Sequence, residues 1–238
     1  RTRWLIINSP NNPTGSSYTA AEYRALADVL LRHPHVMLMT DDIYEHIRFE
    51  SQDNPHPVAI EPELKSRTLV INGVSKTYAM TGWRIGWAAG PADLIGALDM
   101  LQSQSVSNAC SISQAATLAA LKGDQSFVVE WANIYRQRRD RALEMINAIP
   151  GLSCRKPGGA FYLYVNCSGM IGRTTPEGKK LETDMDVVMY LLEGVGVAVI
   201  AGTVYGLSPY FRMSIATSIE GIEDGCRRLA KAVADLRP

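Results

Sequence analysis

The sequence predicts an α/β fold, with a mostly parallel, helix-covered sheet followed by a smaller α+β domain. Three observations carry this reading. The runs Trp4-Leu-Ile-Ile7, Val36-Met-Leu-Met-Thr40 and Thr68-Leu-Val-Ile71 are almost wholly apolar, as strands of a parallel sheet buried on both faces are. A segment of helical spacing separates the first two, giving the order strand, helix, strand. After Pro150-Gly151 the texture changes to alternating strands and amphipathic helices.

Each element has a local reason. The first strand ends in Asn8-Ser-Pro-Asn-Asn-Pro-Thr-Gly15, dense in turn formers. Thr19-Ala-Ala-Glu22 is a capping box: the Thr19 hydroxyl can accept the Glu22 amide and the Glu22 carboxylate can return to Thr19. The helix that follows places Tyr23, Leu26, Ala27, Leu30 and Leu31 on one face, and Pro34 ends it. The second strand closes in Asp41-Asp-Ile-Tyr44, and a polar, proline-containing loop is expected from Ser51 to Pro62. The third strand runs into Ser75-Lys76, with Arg84 eight residues past the lysine and Gly82 between them to let the loop bend. Trp87-Ala-Ala-Gly90 reads as a further short strand, and Trp83 and Trp87 as core residues. Pro91 to Leu121 is helical and alanine-rich, with a break near Asn108.

A long helix from Asp124 to Ile149 is expected to bury Phe127, Trp131, Ile134, Ala142, Met145 and Ile149, while Arg136, Arg138, Arg139 and Arg141 form a solvated, salt-bridged face. Beyond it, Ala160–Val165, Val197–Ile200 and Phe211–Ile215 read as strands and Thr183–Leu192 as a helix. A closing helix from Ser218 carries Ile222, Cys226, Leu229, Val233 and Leu236 at helical spacing. The domains expected are 1–123, the sheet domain; 124–149, a connecting helix; and 150–238, the smaller domain.

Composition narrows the function. The 238 residues, 46% hydrophobic, suffice for one large domain or two smaller ones. Lysine plus arginine equals aspartate plus glutamate at 24 each, which gives no support to nucleic-acid or membrane-surface binding. No apolar run approaches the roughly 20 residues of a membrane span, and no signal peptide is expected ahead of the first strand. Cys110, Cys154, Cys167 and Cys226 are scattered, which reads as reduced thiols in a cytoplasmic protein. His33, His35, His46 and His56 form no ligand pair, so no metal site is assigned.

Polar groups gather at the carboxyl ends of the strands, where parallel sheets bind ligands. Asn11-Asn12-Pro-Thr-Gly15 follows the first, Asp41 with Tyr44 the second, and Ser75-Lys76 with Arg84 the third; Arg212 lies in a strand of the smaller domain. A lysine beside a hydroxyl and a guanidinium suits an amine nucleophile next to a bound phosphate. Taken alone, the same lysine reads equally as a solvated loop residue.

Asn-Pro-Thr-Gly, Asp-x-x-Tyr, Ser-Lys with Gly-Trp-Arg-Ile-Gly, and Phe-Arg-Met-Ser occur in the order and spacing of the class I/II aminotransferases, pyridoxal-phosphate enzymes of fold type I. The chain resembles the aspartate aminotransferases most, over essentially its whole length. The resemblance implies the three-layer major domain of that fold and assigns roles residue by residue. Lys76 would bind pyridoxal 5'-phosphate covalently and shuttle the substrate's α-proton. Asp41 would keep the pyridine nitrogen protonated, with Asp42 as the alternative. Tyr44 and Asn12 would bond the phenolic oxygen. Ser75 and Arg84 would hold the phosphate. Arg212, with Asn12, would clamp the substrate carboxylate and draw the smaller domain closed.

The implied substrates are aspartate and 2-oxoglutarate in a ping-pong transamination, with alanine, aromatic amino acids and prephenate as open alternatives. The implied assembly is a homodimer meeting near Ser105–Asn108. A carbon–sulfur lyase or decarboxylase on the same fold, and an aminotransferase-like sensor domain of a transcription regulator, are the competing readings. Complete members of the family extend further on the N-terminal side, where a phosphate-binding turn, a ring that stacks on the pyridine and a tyrosine lent across the dimer reside. The chain therefore reads as a C-terminal portion, expected to be inactive by itself and to expose apolar sheet surface.

Overall fold

The computed structural model describes residues 1–50 and 55–238. The chain forms two compact units: residues 1–10 with 16–132, and residues 11–15 with 133–238. Each is described in turn.

The first unit is built on a four-stranded sheet. β1 (Trp4–Asn8), β2 (Met37–Asp41) and β3 (Thr68–Gly73) are parallel, and β4 (Gly86–Ala89) pairs antiparallel to β3. The register sets Asn8 opposite Asp41 and Asp41 opposite Ile71, so the polar strand ends line up along one edge. Helix α1 (Ala20–Leu31) starts at the expected capping box: the Glu22 amide donates to the Thr19 hydroxyl at 3.2 Å, and the Thr19 amide donates to the Glu22 carboxylate at 2.7 Å. Its Tyr23, Ala27 and Leu30 pack with Ile7, Leu38 and Leu64 into one core. Leu31 stays outside it, 37% exposed.

The expectation of a sheet covered on both faces holds for one side of β1 only, since Ile7 is 4% exposed and its neighbour Ile6 64%. The loop expected over 51–62 is a turn of helix, α2 (Pro57–Ile60), running into a 3-10 turn at Pro62–Arg67; the part of it at 51–54 lies outside the described residues. Pro57 and Pro62 start these turns because proline suits the first helical position.

Helices α3 (Ala92–Ser105) and α4 (Ser111–Lys122) break where the sequence indicated, yet α3 buries no residue and α4 only Ser113 and Thr117. Trp83 and Trp87 are 43% and 39% exposed, not core residues, because β4 is an edge strand with no buried position.

The long helix α5 (Ser126–Asn147) contributes residues 126–132 to the first unit and 133–147 to the second. Trp131, expected to be buried, is 37% exposed. The second unit continues with β5 (Ser153–Cys154), β6 (Tyr162–Asn166), α6 (Asp184–Val195), β7 (Ile200–Ala201), β8 (Tyr210–Ser214) and α7 (Ile219–Asp235). Its sheet has the order β5-β6-β8-β7, antiparallel throughout. Only the end of the run expected at Val197–Ile200 is strand.

Leu163, Val165, Phe211 and Met213 point into a core shared with α5, α6 and α7. Tyr162, Tyr164 and Arg212 stand on the other face, since alternate residues of a strand face opposite ways. The closing helix buries Ile222, Cys226, Leu229 and Val233 as expected, and Leu236, just past its end, is buried too. One arginine of the basic run departs from expectation. Arg139 is 1% exposed and donates to the Pro157 carbonyl at 2.9 Å, with Asp140 as its ion partner at 2.7 Å.

Candidate active site

The first unit carries five of the site residues indicated by the sequence. Asp41 is the last residue of β2, half-buried, and its Oδ1 accepts the Ile43 amide at 3.3 Å. Burial pushes its carboxyl above the ordinary range; the Ile43 amide opposes this and the neighbouring Asp42 charge adds to it. A carboxyl in this condition favours a cationic partner, which would restore its charge.

Asp42 is engaged elsewhere. Its Oδ2 lies 3.3 Å from His56 Nε2 and accepts the buried Thr40 hydroxyl at 3.2 Å. His56 Nδ1 accepts the Val58 amide at the start of α2, so Nε2 is the protonated nitrogen facing Asp42. Of the adjacent carboxylates, one thus ties β2 to α2, and the other ends the strand.

Tyr44 is buried at 2% exposure, and the Lys76 amine lies 5.9 Å from its ring centre. Lys76 and Ser75 follow β3 in a turn in which the Tyr78 amide donates to the Val74 carbonyl and the Ala79 amide to Lys76. At the base of this turn the chain needs glycine: a Cβ on Gly73 would stand 2.8 Å from the Ile85 carbonyl oxygen. The bend expected at Gly82 is made elsewhere. Ala79 (φ 52°) and Arg84 (φ 56°) take the left-handed conformation, while a Cβ on Gly82 would meet nothing within 4 Å. Left-handed non-glycine residues cost about 1 kcal/mol each and gather at functional sites. Arg84 is exposed and donates to the Thr81 carbonyl at 2.8 Å, closing its own loop.

The second unit carries Asn12 and Arg212. The Asn11–Gly15 turn is held from within, as the Thr14 hydroxyl and amide both donate to Asn11 Oδ1, at 2.8 and 3.2 Å. It is also docked from outside: the Gly158 and Gly159 amides donate to the Gly15 carbonyl at 2.9 and 3.0 Å. Gly15 (φ 67°) allows this approach, since a Cβ there would lie 2.5 Å from Pro157 Cβ. The docked turn delivers Asn12, whose Oδ1 accepts the Arg212 Nη1 at 2.8 Å.

Sequence reasoning missed what surrounds Arg212. Its guanidinium carbon lies 4.5 Å from the Tyr162 ring centre and 5.4 Å from that of Tyr205. For Tyr162 the signal was strand alternation; Tyr205 sits in a turn and left none. Buried Arg139 was missed as well, and it holds Pro157, the residue against which Gly15 packs. Among the described residues no cluster of three or more His, Cys, Asp and Glu could hold a metal ion, and no helix is long and apolar enough to cross a membrane.

The donor set of the first unit suits a phosphorylated, protonatable ring. It offers a half-buried carboxyl in need of a cation, a phenol and an amine side by side, and a hydroxyl and a guanidinium on the same loop. In the second unit, an arginine beside an amide oxygen and two rings suits a planar carboxylate.

Residues 1–229 match the class I and II aminotransferase family, and the chain belongs to that family. It is 53% identical over 232 residues to an aspartate aminotransferase of Rhizobium meliloti, covering 98% of this chain and 57% of that one. It is 50% identical over 236 residues to an aspartate/prephenate aminotransferase of Cereibacter sphaeroides, covering 99% and 59%. Among solved structures it superposes on the Rhizobium meliloti aspartate aminotransferase with a TM-score of 0.95 at 51% identity, covering 100% of this chain and 59% of that one. The Thermus thermophilus aspartate aminotransferase with maleate gives 0.87 at 37% identity, with 98% and 57% covered. The chain thus spans less than three fifths of the length of these relatives.

Proposed function

We propose that the full-length protein is a pyridoxal-phosphate-dependent aminotransferase. It would move an amino group from an amino acid, aspartate first, to a 2-oxo acid such as 2-oxoglutarate in two alternating half-reactions. The observation that carries this is the grouping of Asp41, Tyr44 and Lys76 at the ends of adjacent parallel strands, with the Lys76 amine 5.9 Å from the Tyr44 ring. The relatives named as aspartate aminotransferases support the substrate class. Relatives named as aspartate/prephenate aminotransferases favour prephenate as a second amino acceptor.

Bound pyridoxal phosphate would supply an electron sink for the substrate's α-carbon. The chain's own groups do the rest. Lys76 Nζ would hold the cofactor and would take the proton from the substrate's α-carbon, a transfer that needs the neutral amine. Asp41 keeps the ring nitrogen protonated; that Asp42 is committed to His56 and Thr40 favours Asp41 over it for this role. The Tyr44 hydroxyl and Asn12 amide act on the phenolic oxygen, and Ser75 and Arg84 hold the phosphate, Arg84 through its planar fork. Arg212 takes the substrate carboxylate, with Asn12 beside it. The assembly proposed is a homodimer, and the scattered free thiols support a cytoplasmic location.

Borohydride reduction of the full-length protein in the presence of pyridoxal phosphate, followed by peptide mapping, tests the central assignment. The expected pyridoxyl label falls on Lys76; a label on another lysine, or none, refutes it.

A further inference from the structure

The turn bearing Tyr205 is tied down more firmly than its exposure explains. It begins as a 3-10 turn at Gly202–Tyr205, after β7, and returns through Leu207 to β8. Its tip is open, with Val204 63% and Leu207 49% exposed, so apolar burial does not order it. Buried polar groups do. Asp184, the first residue of α6, is fully buried and accepts the Thr203 amide at 2.9 Å and the Thr203 hydroxyl at 2.6 Å. The Ser208 side chain and the Tyr210 amide lie near the same carboxylate and also favour its charged form. Burial raises this carboxyl, but the donors outweigh burial and hold it below the ordinary range.

From β6, the Tyr164 hydroxyl reaches the Gly202 carbonyl at 3.3 Å and the Leu207 carbonyl at 3.1 Å. A Cβ on Gly202 would overlap the Leu207 carbonyl oxygen, so the two arms of the turn are closed tightly on each other. A buried carboxylate is costly unless its hydrogen bonds are complete. Here they converge on one turn, and what that turn places is the Tyr205 ring, 5.4 Å from Arg212.

We propose that Tyr205 is a specificity-determining residue for the carboxylate of the amino or oxo acid, and that Asp184 is a positioning residue that aims Tyr205 at Arg212 through Thr203. This rests on the aminotransferase reading of Arg212. An aromatic ring on a guanidinium attracts its charge and keeps water off its face. The N–H edge of Arg212 is then the part left to meet a ligand, and a planar carboxylate meets that edge with two parallel hydrogen bonds. A ring is the functional element, so phenylalanine can replace tyrosine at this position, whereas leucine cannot.

The test is calorimetric titration of the cofactor-loaded, full-length protein with maleate, an unreactive dicarboxylate, together with the split between KM and kcat for aspartate. Tyr205→Leu is expected to weaken maleate binding roughly 3–30-fold and to raise KM alike, with kcat within about twofold. Tyr205→Phe is expected to bind within about twofold of the parent. Asp184→Ala leaves the Thr203 amide and hydroxyl without their acceptor and risks unfolding the turn, so the positioning role is read on Thr203→Val, which is isosteric and loses the hydroxyl. Thr203→Val is expected to move binding in the same direction as Tyr205→Leu, and Thr203→Ser to restore it.

Unchanged maleate affinity in Tyr205→Leu, with Arg212→Ala weakened, overturns the proposal and leaves the aminotransferase reading standing. Equal weakening in Tyr205→Phe and Tyr205→Leu overturns the role of the ring. Parental affinity in Thr203→Val overturns the role of Asp184. Unchanged affinity in Arg212→Ala overturns the underlying reading itself.

Discussion

Replacing Arg139 with methionine keeps most of the side-chain volume and removes the guanidinium. In the native protein Arg139 is 1% exposed, its Nη1 donates to the Pro157 carbonyl at 2.9 Å, and its Nε and Nη2 reach Asp140 Oδ1 at 2.9 and 2.7 Å. The Asp140 side chain is 53% exposed, so water takes over its charge when the arginine is lost, and that half of the interaction is worth about 0–1 kcal/mol. The Pro157 carbonyl loses a charge-assisted bond in a buried setting, worth about 1.5–3 kcal/mol. Relief from burying a guanidinium offsets part of this.

The expected net loss is about 1–3 kcal/mol, which for a chain of 238 residues lowers Tm by roughly 2–12 °C. Arg139→Ala adds a cavity and falls further, and Arg139→Lys lies between the parent and methionine. Urea and thermal unfolding measure this. Because Pro157 backs Gly15, and the Gly15 turn delivers Asn12 to Arg212, maleate binding is expected to weaken in the same variants. A methionine variant that melts like the parent, or a lysine variant no better than alanine, refutes the assignment of Arg139 as the clamp on Pro157.

Two further outcomes follow from charge. Burial raises the Asp41 carboxyl, so its contribution to stability is fully present below the ordinary carboxyl pKa of 3.8 and is lost as pH rises through its folded value. Asp41→Asn is therefore expected to stabilise the cofactor-free protein at pH 7, to lose that advantage below about pH 4, and to abolish transamination; a cofactor-free variant less stable than the parent at pH 7 contradicts this. In α6, Lys179 and then Thr183 hold the Asp186 carboxyl down at about 2, where it closes the capping box of the helix. Its stabilisation is present above pH 3.8 and lost as pH falls through about 2. Asp186→Ala should thus cost about 1 kcal/mol by urea unfolding at pH 7 and progressively less below pH 4, and a cost independent of pH over that range refutes it.

Local signals were legible wherever the chemistry was local. The Thr19–Glu22 capping box, the apolar parallel strands, the break near Asn108 and the buried positions at and just past α7 follow from spacing and side-chain type, and the structure has them. The polar residues at strand ends could also be named, because a parallel sheet presents its carboxyl ends on one edge. Burial was less legible. Trp83 and Trp87 are large and apolar, but being on or next to an edge strand leaves them exposed. Arg139 is charged and sits in a run of more accessible arginines, yet it is buried and reaches a carbonyl on a distant segment. Bending at the lysine loop was assigned to glycine on intrinsic freedom, whereas Ala79 and Arg84 adopt the left-handed conformation.

By itself, then, the sequence determined most of the element order, the family motifs and the residue types that suit a phosphorylated ring and a planar carboxylate, since these depend on neighbours within a few positions. Tertiary structure alone decided which of Asp41 and Asp42 is committed to His56, that Gly15 docks on residues 157–159, that the buried Asp184 holds Thr203, and that the Tyr205 ring lies beside Arg212. The reason is distance along the chain. Asp42 and His56 are 14 residues apart and Asn12 and Arg212 are 200 apart, and no local propensity reports on a contact made only when the chain closes.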